Sequence, residues 1–548
     1  MDASAAKPPA DVFDYVIVGA GSAGCVLANR LSADPRHTVL LLEAGGPDNS
    51  LWLKVPIGYG HSFFNPAVNW MYRTEPDPQL GGRRGYWPRG KVLGGSSSIN
   101  AMVFVRGQPG DFDDWAAAGN PGWGWDDVLP YFRRMEDFDG PSGPWRGRGG
   151  PLHVSDVSAQ VHSLCARYVQ AAGEIGLPFN PDLNGSCPEG VGINQITTRA
   201  GWRESSATAY LRPARRRPNL EVRTRAHVTT LVVDAQGQAC GAMLQRGPRR
   251  EQVMARRELI LAAGAIGSPQ LLLLSGFGPQ DELRALGIAP VADLPAVGRY
   301  LQDHLCIDHF YRARLPTLNN ELGSWAGRVR QGLRYVFGRR GALALSVNQG
   351  GGFVRSSPHV PRPDLQLYFS PLSYLRASPG RRRLMAPDPY PGFMLSVQPC
   401  RPSSRGSIRL RSPDPAQAPL IEPNSLDTEK DRQELLEGAR LMRRLSTAPA
   451  LRELIEAELH PGPQVQGEQD LLADVRARAS TVFHPAGTCR MGPDRRAAVV
   501  DARLRVHGQA RLRVVDASVF PNLTSGNLNA PTLMLAERAS DLILADAA

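Results

Sequence analysis

The segment that most constrains the fold is residues 16–24, VIVGAGSAG. Three β-branched residues run into a glycine turn, and residues 25–32, which follow it, have the composition of a helix. A second apolar run, residues 38–42, ends at Glu43, 19 residues after Gly24. The order strand, glycine turn, helix, strand and carboxylate is typical of a βαβ unit that binds a dinucleotide. The sequence therefore predicts a doubly wound α/β sheet.

The residues of this turn have mechanical reasons to be small. Gly19 permits the tight turn, Gly21 lets the backbone approach a pyrophosphate, and Gly24 lets the helix pack against the strand. A glycine turn in any parallel α/β sheet is the competing interpretation, but the full order of elements favours a dinucleotide site. The predicted contacts of this unit are Gly19, Gly21, Ser22, Ala23, Gly24, Glu43 and Ala44.

The composition is that of an ordinary globular chain. Of 548 residues, 42% are hydrophobic and 21% charged, and the net charge of +11 comes from arginine, since only four residues are lysine. The arginine clusters at 215–217 and 381–383 lack interleaved aromatic residues, so we interpret them as solvated loops. Contact with an anionic membrane or an anionic substrate is the alternative, and nucleic-acid binding is disfavoured.

Cysteine usage and apolar runs indicate the compartment. The seven cysteines are odd in number and include no CxxC pair, which disfavours a disulfide framework and a zinc site. No signal peptide precedes the first strand, and the longest apolar stretch, residues 259–274, is interrupted by glycine and proline. We therefore expect no metal, no transmembrane segment and a cytoplasmic location, with peripheral contact at the inner membrane left open.

Changes of pattern along the chain predict two domains, each built from separate stretches. Residues 1–155, 219–310 and 499–548 carry the βαβ unit, further strand-like runs and a closing helix, so we assign them to the dinucleotide domain. Residues 156–218 and 311–498 mix short strands with an amphipathic helix at 432–445 and form the second domain. The aromatic-rich residues 46–110 have little periodicity, which is typical of a functional lid.

Two motifs near the C-terminus offer a base and a polar partner for an alcohol: HPAGTC at 484–489 and NLNAPT at 527–532. A base that takes the hydroxyl proton helps the carbon to expel a hydride, and histidine suits this step because its pKa lies near neutrality. We therefore interpret His484 as the base and Asn529 as the partner of the alcohol oxygen. Asn529 also fits an N-cap for the helix that begins with Pro531, and both roles can coexist.

Two further segments complete a family pattern. Residues 90–100, GKVLGGSSSIN, and residues 264–278, GAIGSPQLLLLSGFG, resemble the two signatures of the glucose–methanol–choline (GMC) oxidoreductases, with Phe277 where an aliphatic residue is usual. The first glycine turn, His484 and Asn529 occupy the remaining expected places, so the resemblance spans residues 13–545. It implies bound FAD, a Rossmann-like FAD-binding domain and a substrate domain built on an antiparallel β-sheet, an α/β fold that is α+β overall.

The resemblance also implies where FAD lies. The glycines and serines of residues 94–98 offer N–H and O–H donors, and the N-terminus of the last helix suits the negative charge of a reduced flavin. Some relatives attach the flavin to a histidine at the position of Ile99, so we expect non-covalent FAD here. Beyond the first turn, the predicted FAD contacts are Arg89, Val92, Gly94, Gly95, Ser96, Asn100, Ala101, Val228, Ala263, Gly264, Asp516, Ala517, Asn529, Pro531 and Thr532.

The resulting hypothesis is an FAD-dependent dehydrogenase that oxidises a CH–OH group and passes electrons to a quinone or another acceptor. One alternative is an alcohol oxidase that uses O₂. Another is a cyanohydrin lyase that keeps FAD without redox turnover, and bleaching of the flavin by an alcohol would separate it from the first two. An NAD enzyme would leave the motifs after residue 90 unused, and the yellow colour of a flavin would exclude it.

The substrate is predicted from residues 347–353, VNQGGGF, and from the neighbour of His484. Gln349 aligns by eye with a glutamate of choline-dehydrogenase-like relatives. A quaternary ammonium would then lack its counter-charge, so we expect a neutral primary alcohol, a polyol or a sugar-like substrate. The predicted substrate pocket contains Gln349 and Phe483.

Overall fold

The computed structural model describes residues 11–374 and 386–547, so the arginine cluster at 381–383 lies outside the described residues. Two large sheets organise these residues, one parallel through its centre and one antiparallel. This architecture confirms the predicted fold class, an α/β cofactor domain beside a domain built on an antiparallel sheet.

The parallel centre of the first sheet fixes where its ligand edge lies. The strand Asp11–Val18 pairs on one side with Val39–Leu42 and on the other with the second half of Arg249–Leu261. Val18 is in register with both Leu42 and Leu261, so the carboxyl ends of these strands meet at one edge. The strand order is Leu220–Arg223, Val39–Leu42, Asp11–Val18, Arg249–Leu261, Ala239–Arg246 and His227–Val233, with Leu512–Val514 also paired to Arg249–Leu261.

Three helices begin at that edge: Ser22–Leu31, Gly264–Leu274 and Asn529–Ala547. The first and the last pack together, and Glu537 of the last helix has no exposed surface. Its carboxylate lies 2.7 Å from Arg30 of the first helix and accepts a hydrogen bond from Tyr210. The buried charge is thus paired and hydrogen-bonded, which is the condition for tolerating it.

The second sheet is antiparallel, and a long helix packs against it. Its order is Ile455–His460, Leu305–Ala313, Gly392–Pro399, Leu365–Ser370, Gly350–Val354 and Gly190–Ile193, with Ser480–Thr481 paired to the start of Leu305–Ala313. The helix predicted at 432–445 extends over Glu429–Thr447 and begins where the Thr428 hydroxyl accepts a hydrogen bond from the Asp431 amide. It packs closely, since a Cβ added to Gly438 would lie 2.9 Å from Val397.

The division of the chain into two domains stays a prediction. The strands of the first sheet fall within the three stretches assigned to the dinucleotide domain. The border at residue 310, however, cuts through Leu305–Ala313, a strand of the antiparallel sheet. A border before residue 305 would keep that strand whole.

The remaining elements are short or lie at the periphery. Residues 46–110, the predicted lid, fold into brief helices, turns and one short strand pair. In residues 11–374 and 386–547, no helix combines the length and the apolar character needed to cross a bilayer. The other helices are Leu51–Lys54, Tyr59–Ser62, Pro109–Ala117, Trp125–Met135, Leu164–Glu174, Arg212–Ala214, Gln280–Ala285, Leu318–Gly323, Trp325–Gly338, Pro449–Arg452 and Glu468–Arg478. Short strand pairs are Tyr72–Arg73 with Tyr86–Trp87, Glu136–Phe138 with Leu152–Val154, Thr198–Arg199 with Trp202–Arg203, Phe277–Gly278 with Ala292–Asp293, and Ser407–Arg409 with Leu420–Glu422.

Candidate active site

A cavity of about 640 Å³ extends from the ligand edge of the first sheet to the face of the second. One end is lined by Gly19 and Glu43, which follow strands of the first sheet. The other end is lined by His484 and by side chains of the antiparallel strands, among them Met394 and Ser396. Its size is in the range of cofactor and substrate sites.

Two glycine loops form the first end of the cavity by packing against each other. Gly19 has φ +103°, and a Cβ added to Gly24 would lie 1.9 Å from the carbonyl oxygen of Gly19. A Cβ added to Gly95 would lie 2.6 Å from Cα of Gly21. The amide of Gly94 donates to the carbonyl of Ala20 at 2.8 Å. Only glycine fits at Gly24 and Gly95, because backbone atoms occupy the space of a side chain.

Gly21 is different, because nothing in the protein forbids a side chain there. A Cβ added to it would meet only the Ala262 carbonyl oxygen, at 3.9 Å. Gly21 lines the cavity and precedes the helix Ser22–Leu31, whose first turn has no capping side chain. Open N–H donors at a helix N-terminus with an unobstructed approach fit a phosphate. The cradle therefore fits the pyrophosphate of a dinucleotide.

Glu43 shapes the same end of the cavity. Its carboxylate accepts hydrogen bonds from the amides of Ala20, at 2.9 Å, and Gly45, at 2.8 Å. Burial raises its pKa to about 7, against the effect of these two bonds. Glu43 thus ties the glycine turn to the end of the strand Val39–Leu42 while it faces the cavity.

Most of the sequence-predicted residues line this cavity. Those that line it are Gly19, Gly21, Ser22, Ala23, Glu43, Ala44, Arg89, Gly95, Ser96, Asn100, Ala101, Val228, Ala263, Gly264, Phe483, His484, Asp516, Ala517, Asn529 and Thr532. Gly24, Val92, Gly94 and Pro531 stand behind its wall. Gly24 and Gly94 shape the wall through their packing, and Val92 packs with Leu53 and Ile99.

Asp516 positions the wall through its side chain. One carboxylate oxygen accepts hydrogen bonds from the Gly264 amide, at 2.9 Å, and the Ser268 hydroxyl, at 2.6 Å. The other accepts from the Ser518 amide at 2.8 Å. Asp516 therefore holds the start of the helix Gly264–Leu274 beside Ala517, and both places line the cavity.

His484 lies at the other end of the cavity in a chain of hydrogen bonds that fixes its tautomer. Nε2 of His304 lies 2.8 Å from the Cys400 carbonyl oxygen, and because a carbonyl only accepts, this nitrogen carries the proton. Nδ1 of neutral His304 is then an acceptor, so Nδ1 of His484, at 3.0 Å, donates to it. The lone pair of His484 is left on Nε2, which lies 3.2 Å from the Asn527 amide nitrogen.

Both imidazoles are neutral at neutral pH. Burial, followed by the nearby His304 and Arg89, lowers the pKa of His484 well below its ordinary value. Burial also lowers the pKa of His304 to about 4, against its hydrogen bond to the Cys400 carbonyl. His484 can therefore accept a proton at Nε2 without first losing one.

The backbone around His484 is held from both sides. Asp303 accepts a hydrogen bond from the His484 amide at 2.8 Å, and Arg89 donates to the Phe483 carbonyl at 2.6 Å. Phe483 has φ +72°, an uncommon conformation for a bulky residue. Its ring packs against Phe63, with ring centroids 5.4 Å apart. These contacts compensate for the strain next to the base.

The structure corrects the expectation that Asn529 lies beside His484. Asn527 is the residue within hydrogen-bond distance of His484. Asn529 is the first residue of the last helix, and its side-chain oxygen accepts from the Ser22 hydroxyl at 2.8 Å. The motif contains both asparagines, and spacing along the chain does not distinguish which one turns towards His484.

The structure also corrects the placement of Gln349. Its side-chain oxygen accepts from the His162 amide at 2.7 Å, and Gln349 does not line the cavity. Val347 and Asn348 do. Because successive side chains of extended backbone face opposite sides, an error of one residue in an alignment by eye turns a residue away from the pocket. Gln349 therefore carries no information about the charge of the substrate.

The wall beside His484 is mainly apolar and aromatic, and the carboxylates Asp303 and Asp308 also line it. Phe63, Phe64 and Tyr86 form a ring cluster that reaches Phe483. The strand Leu305–Ala313 contributes Asp308, which also lines the cavity. Sequence reasoning missed Asp308, and with it Asp303, His304 and Asn527. No local pattern indicates His304 or Asp303, because His484, which both contact, lies 180 and 181 positions further along the chain.

No cluster of three or more His, Cys, Asp or Glu side chains suited to a metal ion occurs in the part of the chain that the structure describes. The seven cysteines, which all lie in this part, form no disulfide.

Comparison with known proteins places the chain in a family. Family models of the GMC oxidoreductases, which are FAD flavoproteins, match residues 13–306 and 402–536. An alcohol dehydrogenase (acceptor) of Pseudomonas putida is 43% identical over 97% of this chain and 96% of its own. The mitochondrial choline dehydrogenase of Mus musculus is 41% identical over 97% of this chain and 89% of its own.

A solved structure agrees with these sequence matches. The crystal structure of pyridoxine 4-oxidase from Mesorbium loti superposes with a TM-score of 0.86 and 32% identity, covering 97% of this chain and 98% of its own. Sequence models, relatives and fold agree over nearly the whole chain. The chain is therefore a member of the GMC oxidoreductase family.

Proposed function

We propose that this protein is an FAD-dependent dehydrogenase that oxidises the CH–OH group of an alcohol to a carbonyl. The observation that carries the proposal is the neutral His484, whose Nε2 lone pair is fixed at one end of a cavity with a dinucleotide cradle at the other. A base and a redox cofactor facing one cavity are what alcohol oxidation requires.

The residues divide the work of activating the alcohol. His484 Nε2 takes the hydroxyl proton. The Asn527 amide, which lies within hydrogen-bond distance of Nε2, donates to the alcohol oxygen. A general base of this kind contributes about 10² to 10⁴ in rate. The proton acquired on Nε2 is stabilised because Nδ1–H continues to donate to His304. Arg89 and Asp303 keep the ring in position through the backbone.

The cradle residues would hold FAD. Gly21 and the start of the helix Ser22–Leu31 suit the pyrophosphate, and Glu43 and Ala44 suit the ribose. FAD, when bound, supplies the acceptor for the hydride that leaves the alcohol carbon. The N-terminus of the helix Asn529–Ala547 faces the cavity through Asn529 and Thr532 and favours negative charge there.

We propose a quinone or a similar molecule as the electron acceptor. For the location we propose the cytoplasm, with contact at the inner membrane. The relatives support an acceptor other than nicotinamide, although their names include both an acceptor-dependent alcohol dehydrogenase and oxygen-dependent choline dehydrogenases. Unbonded cysteines agree with a reducing compartment. Reoxidation of the reduced enzyme by a quinone and by O₂, measured side by side, decides the acceptor.

For the substrate we propose a neutral primary alcohol with an apolar body. The aromatic cluster of Phe63, Phe64, Tyr86 and Phe483 beside the base offers mainly dispersion and burial. A cationic alcohol is the second candidate, because the Asp308 carboxylate lines the same cavity and rings can face a cation.

We predict that FAD is released when the protein is denatured by acid or heat. Ile99 lines the cavity and packs with Leu53 and Val92, and its side chain cannot form a bond to a flavin. The measurement is the flavin absorbance of the supernatant after precipitation. Flavin that stays with the precipitate would contradict non-covalent binding.

We predict that neutral primary alcohols bleach the flavin in the absence of oxygen and that His484→Ala slows this step about 10²- to 10⁴-fold while FAD stays bound. Stopped-flow absorbance against a panel of neutral alcohols and choline measures both. The exposed His359 provides the control variant His359→Ala, which should react normally.

Three outcomes of that panel carry different conclusions. Bleaching by choline in preference to neutral alcohols would favour a cationic alcohol as the substrate. An enzyme that keeps its yellow colour with every alcohol would favour the lyase. Normal bleaching of His484→Ala would place the base elsewhere.

We predict that the two asparagines of the C-terminal motif separate in function. Asn527→Ala should slow flavin reduction about 10- to 100-fold, the range expected for losing a hydrogen bond to a charged oxygen, with FAD content unchanged. Asn529→Ala should keep reduction within about threefold but weaken FAD retention, since Asn529 joins the starts of two helices at the cradle. The reverse pattern would restore Asn529 as the partner of the alcohol.

We predict that flavin reduction is independent of pH around neutrality and declines only in acid. The lowered pKa of His484 means that the base stays neutral until the pH falls through that pKa, where protonation abolishes its function. In His304→Leu, the tautomer of His484 is no longer fixed and its Nδ1–H loses its acceptor, so the rate at neutral pH should fall.

His304→Gln is the matched control for this prediction. Its amide oxygen can accept from His484 and its nitrogen can donate to Cys400, so it should retain more activity than His304→Leu. Equal loss in both variants, with unchanged pH profiles, would reduce His304 to a packing residue.

A further inference from the structure

The helix Trp325–Gly338 leaves an apolar stripe uncovered. Five of the ten large apolar side chains that are exposed in the described residues belong to it, including Trp325, 79% exposed, and Phe337, 84% exposed. Large exposed apolar patches mark interaction sites. We call the exposed side chains Trp325, Val329, Leu333, Val336 and Phe337 the outer stripe.

The outer stripe and the buried side of this helix are on opposite sides. At about 100° per residue, the five positions of the stripe fall within an arc of about 120°. The buried positions, Gly327, Gln331 and Tyr335, recur every four residues on the other side. Tyr335 packs with Val55 and Ala344 and donates a hydrogen bond to the Gly201 carbonyl. The helix is therefore held to the protein along one side only.

The charged residues of this helix and of the two positions after it are all arginines. Residues 325–340 contain five arginines and no aspartate or glutamate. In the same projection Arg330 and Arg334 follow one border of the stripe and Arg328 lies beyond the other, and all three are exposed. Arg328 donates to the carbonyls of Leu322 and Gly323, which leaves Arg330 and Arg334 as the exposed charges at the border.

We propose that this helix docks the enzyme on an anionic lipid bilayer. An apolar stripe with tryptophan and phenylalanine, bordered by arginines, is the pattern of helices that lie in the plane of a membrane interface. The arginine stems reach along the apolar surface while their guanidinium groups meet lipid phosphates. A protein groove would have to be acidic and apolar at once, whereas an anionic bilayer presents both properties over any area.

The docking site is close to the cavity in the fold, although the inference does not depend on the proposed reaction. Val55, which packs on Tyr335, begins the segment that leads to Tyr59 and Phe63 in the cavity wall. Leu51 and Trp52, which precede Val55 in the chain, are also exposed. A bilayer on the outer stripe would therefore lie beside the part of the wall built from residues 51–63.

The test is sedimentation of the whole flavoprotein with vesicles of phosphatidylglycerol and phosphatidylethanolamine, compared with phosphatidylcholine alone. We expect binding to the anionic vesicles that weakens with salt. Trp325→Ser with Phe337→Ser should reduce binding at least tenfold. Arg330→Gln with Arg334→Gln should reduce binding to the anionic vesicles about fivefold per arginine and should not change binding to the phosphatidylcholine vesicles.

Matched controls lie elsewhere on the surface. Phe179→Ser removes an exposed ring, and Arg215→Gln with Arg216→Gln removes two exposed charges, so neither should change vesicle binding. Flavin absorbance and the unfolding temperature confirm that each variant is folded. Vesicle binding that survives both helix variants, or that is absent in the wild type, overturns the proposal. A dimer seen by light scattering and lost in Trp325→Ser with Phe337→Ser, without a change in vesicle binding, would assign the stripe to a second copy of the chain.

Discussion

The close approach of two glycine loops is the constraint on which the site depends. Gly21 and Gly95 meet so closely that a Cβ on Gly95 would lie 2.6 Å from the Gly21 backbone. The first loop follows a strand of the parallel sheet, and the second belongs to the aromatic-rich residues 46–110. Their contact brings Arg89 and Asn100, on either side of the second loop, to the cavity. A side chain at Gly95 would push the second loop away from the first and so separate the cradle from the wall beside His484.

Burial shifts the pKa values of Glu43 and His484, at the two ends of the cavity, in opposite directions. At one end it raises the pKa of Glu43, and hydrogen bonds from Ala20 and Gly45 act against that shift. At the other it lowers the pKa of His484, which keeps the ring neutral. A buried histidine is only useful as a base if its lone pair points the right way, and here a single backbone carbonyl, that of Cys400, sets the direction through His304. Cys400 directly follows the strand Gly392–Pro399, so the antiparallel sheet is tied to the orientation of the His484 ring.

Local pattern was enough for the fold class and for one end of the site. Gly19, Gly21 and Gly24 lie close together in the chain, at the turn and the start of the helix Ser22–Leu31, so their places follow from spacing alone. The helix at Glu429–Thr447 follows from periodicity. Contacts over long separations were not accessible in this way. The bond between His304 and His484 joins positions 180 apart, and the choice of Asn527 over Asn529 depends on how one loop turns into a helix. Gln349 failed for a related reason, because one residue of register decides which side of extended backbone a side chain faces.

The bond between Ser22 and Asn529 spans 507 positions, and this separation has a consequence in time. A ribosome adds about 5–20 residues per second, so the two partners emerge roughly 25 to 100 seconds apart. Until the last residues are made, the strand Arg249–Leu261 lacks its neighbour Leu512–Val514, and the helix Ser22–Leu31 lacks the last helix, which packs against it. The nascent chain therefore carries an open sheet edge and an uncovered apolar face until its final residues arrive, a period in which chaperones have a defined surface to protect.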